Sequence, residues 1–137
     1  MRFELSSVPV QSGLIVDKLL QNELIEIIPS MRGKLCKSVE RILENYIKTF
    51  AVLEDQALRF LVDNQLDEDN FRRRVLKNLA KEGNFPIFGE ALDYLNLQIE
   101  ELLLEHEAVE EVFAESRQLV AAITPHLKTM IVKTPRN

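Results

Sequence analysis

The sequence predicts an all-α protein: a single-domain helical bundle of about five or six helices with one long central helix. Its 137 residues are 46% hydrophobic and 28% charged, the balance of a globular domain. Only four glycines and five prolines interrupt stretches rich in Leu, Glu, Lys and Ala, which favour helix. We expect residues 1–137 to form one domain, with residues 134–137 frayed.

The first element is a helix that begins after a serine. Ser6 or Ser7 can serve as its N-cap, and Pro9 falls in its first turn, where proline is tolerated. Residues 24–28 follow, a run too short for a helix and rich in β-branched side chains. They predict a brief extended segment, which we expect to lie beside residues 2–5.

The most regular segment is a long amphipathic helix over residues 30–62. Apolar residues recur there at spacings of three or four: Leu35, Val39, Ile42, Tyr46, Phe50, Leu53, Ala57 and Leu61. At 1.5 Å per residue this helix is about 50 Å long, whereas a compact domain of this size is about 37 Å across. We therefore expect the helix to bend, to protrude or to pack against a second subunit.

Four further helices are predicted after a polar break at residues 63–70. The third helix carries Phe71 and Leu79 and ends at Gly83-Asn84. An acidic helix runs from Glu90 to about His106. A short helix is expected over residues 109–114, and Ser116 should cap the last helix.

The net charge of −5 is distributed unevenly along the chain. Residues 90–115 contain nine acidic side chains and no basic one, threaded among apolar residues. The third helix carries the densest basic cluster: Arg72, Arg73, Arg74, Lys77 and Lys81. The cluster fits an ordinary exposed helix face, a docking site for the acidic helix of a second copy, or phosphate contacts. Glu100, Glu101 and Glu105 fit either a solvated acidic face or a docking strip for a basic partner.

The sequence offers no complete catalytic motif. His106 and Glu107 begin a stretch similar to the zinc-protease signature, but Glu110 stands where the second histidine belongs. We predict no catalytic, cofactor-binding or metal-binding residue, so an enzyme that uses His106 is a third hypothesis only. Cys36 is expected to act as a small buried hydrophobe.

No segment predicts a membrane location. The longest apolar run, at residues 119–123, is far too short to span a bilayer, and residues 1–4 are not followed by the apolar core that would predict a signal peptide. A single cysteine fits a reducing compartment. We expect a cytoplasmic protein.

Segments spread along nearly the whole chain carry a resemblance to a known family. They are residues 1–2, 15–17, 39–40 with Tyr46, 79–83, 91–95, 109–115 and 123–128. On these segments the chain resembles an uncharacterised bacterial helical family, the domain of unknown function five-oh-seven (DUF507). The resemblance implies a small, mostly helical, cytoplasmic bacterial protein, and it brings no established activity, cofactor or catalytic residue.

Two functional hypotheses follow from the residues. The leading one is a non-enzymatic helical interaction or structural protein that binds an unknown protein partner or associates with itself. Its basis is the overlong second helix together with residues 91–104, whose apolar positions cover more than one helix face. The alternative is a nucleic-acid-binding module that uses the basic helix from Arg72 to Lys81.

Overall fold

A computed structural model describes residues 2–132 of the chain, which form five α-helices and four short strands. The helices are α1 (Val8–Gln21), α2 (Arg32–Asp63), α3 (Glu68–Glu82), α4 (Gly89–Glu105) and α5 (Ser116–Thr129). The strands are β1 (Arg2–Phe3), β2 (Ile25–Ile27), β3 (Val109–Val112) and β4 (Ile131–Val132). The predicted mostly-α domain with one long helix is confirmed, while the fraying expected at 134–137 lies outside the described residues.

The strands form two antiparallel pairs, β1 with β4 and β2 with β3. The extended segment predicted near residues 24–28 is therefore confirmed, but its expected neighbour is wrong. Its partner is β3, where a short helix had been expected. Backbone hydrogen bonds from Ile28 N–H to Ala108 (2.9 Å) and from Phe113 N–H to Leu24 (2.9 Å) extend this pairing on both sides. Valines at both ends of β3 favour the strand.

The hydrophobic core lies among α1, α4, α5 and the first half of α2. Its largest fully buried side chains include Ile15, Leu19, Leu35, Leu43, Leu95, Ile99, Leu103, Leu119, Ile123, Leu127 and Met130. Each contributes roughly 1.5–3 kcal/mol by leaving water. The acidic helix α4 thus buries one face centrally, and the chain continues from it through β3 to α5.

Helix α2 is one continuous helix of 32 residues, about 48 Å long at 1.5 Å per residue. Its second half is covered on one side by α3, which folds back along it after a short connection. Ala57 and Leu61 of α2 are buried there together with Leu76 and Ala80 of α3. The other sides of this hairpin expose large apolar side chains: Val52, Leu58, Phe60 and Val62.

The N-termini of the helices partly match the predicted caps. Ser7 occupies the N-cap position of α1, with a proline in the first turn, as predicted, but its side chain makes no capping hydrogen bond, because its hydroxyl donates to the Glu4 carbonyl (2.8 Å). The Asp67 carboxylate accepts from the Asp69 N–H (3.0 Å) and caps α3. Ser116 was expected to cap α5 but is its first residue. The N-cap is Glu115, whose N–H donates to the Gln118 side chain (2.8 Å), so the chain uses a capping-box partner instead.

Three helices end with the same left-handed backbone turn. Glu23, Gln65 and Asn84 follow α1, α2 and α3 with φ between 52° and 56°. In each case the next N–H reaches back to the last turn of the helix, for example Phe85 N–H to the Ala80 carbonyl at 2.8 Å. At the end of α3 this turn redirects the chain into residues 84–88, which build one wall of the groove described next.

Candidate functional site

The basic cluster forms one exposed strip on α3. The packing of α3 against α2 determines its position. Leu76 and Ala80 are buried against α2, so the basic side chains lie on the other faces of α3, toward solvent. We use the name basic strip for its four exposed cations, Arg73, Arg74, Lys77 and Lys81. Three of these lie four residues apart and so project from the same helix face.

Arg72, predicted with the others, has a different role. Its guanidinium pairs with Glu54 of α2 (3.0 Å) and with Glu68 in the first turn of α3 (3.6 Å). The contact with Glu54 joins the two helices of the hairpin across its flank. The charge of Arg72 is therefore already paired within the chain, and Arg72 is not part of the basic strip.

A groove of about 730 Å³ runs between the basic strip and residues 84–90. Arg73, Lys77 and Lys81 form one wall, and the loop from Asn84 to Gly89 forms the other. The Arg73 guanidinium lies 4.4 Å from the centre of the Phe88 ring, and the Lys77 ammonium lies 5.9 Å from it. Attraction of each cation to the ring face, worth about 0.5–1 kcal/mol at an exposed site, holds the strip against the groove.

The backbone at Phe88 is strained. Its φ of 55° and ψ of −127° are those of the first central residue of a type II′ turn, a position dominated by glycine. The turn is closed by the Glu90 N–H, which donates to the Ile87 carbonyl at 3.3 Å. A phenylalanine here costs on the order of 1–3 kcal/mol. Such strain concentrates at functional sites, and here it sets the ring beneath two cations.

Tyr46 of α2 anchors the far side of the same loop. Its hydroxyl donates to the Pro86 carbonyl (2.8 Å), and its ring stacks on Phe85 with centroids 4.9 Å apart. Phe3, Phe50 and Tyr94 surround the same ring. Burial raises the pKa of the Tyr46 phenol, so the group stays neutral. Helical spacing placed Tyr46 on the core face, but no pattern in the sequence could show that it holds the groove.

The groove is electrostatically positive. Within residues 2–132, none of the ion pairs includes a cation of the basic strip. Glu90 is the one acidic residue that lines the groove. Gly89 begins α4, so the positive end of that helix dipole lies at the same place. The arrangement suits an anionic group on a partner.

The acidic residues predicted as a docking strip lie on α4 and differ from one another. Glu100 accepts a hydrogen bond from the Ser116 hydroxyl (2.9 Å), which ties it to the start of α5. Glu101 and Glu105 are exposed on the outer side of the helix. In the described part of the chain no ion pair joins α3 to α4, so within one molecule the acidic side chains of α4 do not neutralise the basic strip.

His106 lies at the end of α4 and has a structural environment. The Ala108 N–H donates to its Nδ1 (3.0 Å), and its Nε2 lies 3.0 Å from the Ser38 hydroxyl. Because a backbone N–H can only donate, Nδ1 is the acceptor, and neutral imidazole then carries its proton on Nε2. Nε2 therefore donates to Ser38 and cannot act as a base that activates this hydroxyl.

The remaining candidate groups form no reactive cluster in the described region. Within residues 2–132 no three His, Cys, Asp or Glu side chains are close enough to hold a metal ion. Cys36 is half-buried against the core, and burial raises the pKa of its thiol although Arg32 opposes the shift. A thiol protonated in this way is a poor nucleophile.

None of the helices in residues 2–132 combines the length and apolar character needed to cross a membrane.

Comparison with known families gives one match along almost the whole chain. The model of the family described as protein of unknown function (DUF507) matches residues 1–135. No curated protein matches the chain. The match agrees with the resemblance seen in the sequence and transfers no activity.

Proposed function

The chain belongs to the DUF507 family of unknown function, and from its own surface we propose that it is a non-enzymatic interaction protein whose partner binds at the basic strip and groove. One observation carries the proposal. Arg73, Lys77 and Lys81 line the groove, Arg74 is exposed on the same helix, and no ion pair in the described part of the chain includes any of the four, although the sequence contains 22 acidic residues.

The geometry at the groove supports binding more than catalysis. Phe88 is held in a strained conformation beneath two cations, and Tyr46 fixes the loop that presents it. A rigid aromatic ring flanked by cations gives a partner both an apolar contact and charge-assisted hydrogen bonds. No nucleophile and base meet there, and at the Ser38–His106 contact the proton arrangement opposes catalysis.

A protein partner with apolar side chains of its own also accounts for the exposed apolar residues of the hairpin. Val52, Leu58, Phe60 and Val62 lie on the same protruding pair of helices as the basic strip. An interface that combines such residues with arginine is typical of protein partners. We place this interaction in the cytoplasm, where a reduced Cys36 is stable, and fractionation of cells that express the tagged protein tests that location.

The proposal is tested by removing the charge of the strip while keeping its length. The variant Arg73→Gln, Arg74→Gln, Lys77→Gln, Lys81→Gln should fold normally and lose a partner that the wild-type protein captures from its own cells. A matched control replaces Lys34, Lys37, Arg41 and Lys48 by Gln, four exposed cations on the first half of α2. Both variants change the net charge equally, so a loss of binding confined to the strip variant is assigned to the position of its charges and not to their number.

Quantitative mass spectrometry of the captured proteins gives the answer. We expect at least one protein to be retained by the wild type and the control and to be lost with the strip variant. If every specific protein is retained equally by all three, the basic strip is not the binding surface and the proposed function is wrong.

Nucleic acid is the second candidate partner, because Arg73, Lys77 and Lys81 at four-residue steps can follow a phosphate backbone. With four available cations, a plot of the logarithm of the affinity for duplex DNA against the logarithm of the salt concentration should have a negative slope, no steeper than about −3.6. The net charge of −5 opposes this alternative. It becomes the leading explanation if all strip-dependent capture disappears after nuclease treatment.

A further inference from the structure

The solvent side of α4 is unusual for a helix surface. Glu90, Tyr94, Leu97, Glu101 and Leu104 recur there at steps of four and three, the spacing of a helix that packs against another helix. We call these five residues the outer face of α4. Leu97 and Leu104 lie two turns apart on this face of the helix, and their side chains are 51% and 67% exposed.

The acidic side chains beside this face restrict which helix of a partner can pack on it. Helix α4 carries five acidic side chains and no basic one: Glu90, Asp93, Glu100, Glu101 and Glu105. A second α4 would therefore bring like charges together. A covering helix must instead offer cations along its length, and it must bury the two leucines.

The basic strip of α3 meets both requirements. Arg73 and Lys81 are eight residue steps apart, about 12 Å along the helix axis, the same separation as Leu97 and Glu105 on α4. The long stems of arginine and lysine can cover apolar side chains while their charged ends reach carboxylates. Glu101 and Glu105, four residues apart, match the four-residue steps of the cations.

We propose that the partner at the basic strip is a second copy of this chain, and that the strip of each protomer docks on the outer face of α4 of the other. The inference rests on the proposed function, since it names the partner of the same strip. It accounts for the exposed leucines and the unpaired cations with a single contact.

The position of the two surfaces allows a closed dimer. Glu90 at the start of the outer face and Lys77 of the basic strip line the same groove, so the surfaces meet on one side of the molecule. In a two-fold dimer of this kind, the strip of each protomer lies against the outer face of α4 of the other. The contact is then reciprocal, as the symmetry of a homodimer requires.

The experiment is sedimentation equilibrium of the purified full-length protein and of two charge-reversal variants. One variant is Lys77→Glu, Lys81→Glu, and the other is Glu101→Lys, Glu105→Lys. A control with Lys34→Glu, Lys37→Glu reverses two exposed cations away from both surfaces. Circular dichroism confirms that each variant keeps its helices before its mass is measured.

The wild-type protein and the control are expected to dimerise, and the dimer should weaken as salt rises. Each charge-reversal variant alone should dimerise at least about tenfold more weakly, because like charges then face each other across both contacts. An equal mixture of the two variants should recover the dimer. In a mixed dimer the reversed strip of one variant faces the reversed α4 of the other, and the two unchanged surfaces face each other, so opposite charges meet at both contacts.

A wild-type protein that stays monomeric at all concentrations overturns the inference, and so does a dimer that neither variant weakens or that mixing does not recover. The capture experiment with the glutamine variant still tests the proposed function independently of the dimer. If the glutamine variant still loses a captured protein of different sequence, the strip is a binding surface for another partner. If it loses none, both proposals fail.

Discussion

Single side chains hold the groove in shape, and Tyr46 supports the loop that forms one of its walls. Its hydroxyl fixes the Pro86 carbonyl and its ring supports Phe85. A few residues away Phe88 adopts a backbone conformation that favours glycine. The loop is thus positioned by one tyrosine on a helix and one strained residue in a turn.

The alkaline stability of the protein should depend on Tyr46. Below its ordinary pKa of 10.0 the phenol is neutral in both the folded and the unfolded state. Above that pH the unfolded chain releases the proton, whereas the folded protein retains it because the pKa is raised. The free energy of unfolding should therefore fall as pH rises above about 10.

Tyr46→Phe separates this effect from other alkaline titrations. The variant should lose about 1 kcal/mol at neutral pH, with the hydrogen bond to Pro86. Its stability should then decline less steeply than that of the wild type above pH 10. Urea unfolding at several pH values measures both quantities, and parallel pH profiles for the two proteins would show that the phenol remains accessible to water.

At the scale of elements, α4 has two apolar faces, one buried in the core and one exposed to solvent. One face buries Leu95, Ile99 and Leu103 in the core, and the other exposes Leu97 and Leu104. The sequence showed the excess of leucine but not which residues faced inward. Hydrophobic periodicity cannot separate a helix buried on two sides from one that keeps a face for a partner.

Paired alanine substitutions test the assignment of the two faces. Leu95→Ala should destabilise the protein by about 2–5 kcal/mol, because it leaves a cavity in the core. Leu97→Ala should change the stability of the monomer by less than about 0.5 kcal/mol. Thermal or urea unfolding at low protein concentration is the measurement, and similar losses for the two variants would mean that the outer face of α4 is packed within the monomer.

The helices could be predicted from sequence more completely than the strands. Apolar spacing and capping residues act within a few turns, so the long helix, the acidic helix and the N-cap of α1 were predicted correctly. Residues 109–114 were predicted as a helix and form β3, because pairing with Ile25 and Ile27 outweighs a local preference. The groove depends on contacts between Tyr46 and residues 85–88, forty positions apart, which local patterns do not encode.

The sequence could not show which of the predicted binding residues form ion pairs or hydrogen bonds within the fold and which stay free on its surface. Five cations and three acids were predicted from charge density and, for Arg73, Lys77 and Lys81, from their four-residue spacing on a helix. The structure separates Arg72, paired with Glu54, and Glu100, bonded to Ser116, from the groups that stay exposed. Charge spacing locates a helix face, whereas ion pairing within the fold depends on which helices become neighbours.

At the scale of the whole molecule, the fold consists of a packed body and a projecting hairpin. The body contains α1, α4, α5 and the first half of α2, and the second half of α2 projects with α3. The overlong second helix is therefore explained in part by protrusion and in part by the cover that α3 provides. The basic strip lies on this projection, where a partner can reach it.

The most direct test of the account is crosslinking in cells from a photoreactive residue beside the basic strip. Asn78 is exposed on α3 and uncharged, so replacing it leaves all four cations in place, and Asn45 on the first half of α2 is a matched control. The account predicts a discrete adduct from position 78 and none from position 45. Mass spectrometry of the adduct shows whether the partner is a second copy or another protein. Absence of any adduct at position 78, with a specific one at position 45, would contradict the central claim that partners bind at the basic strip.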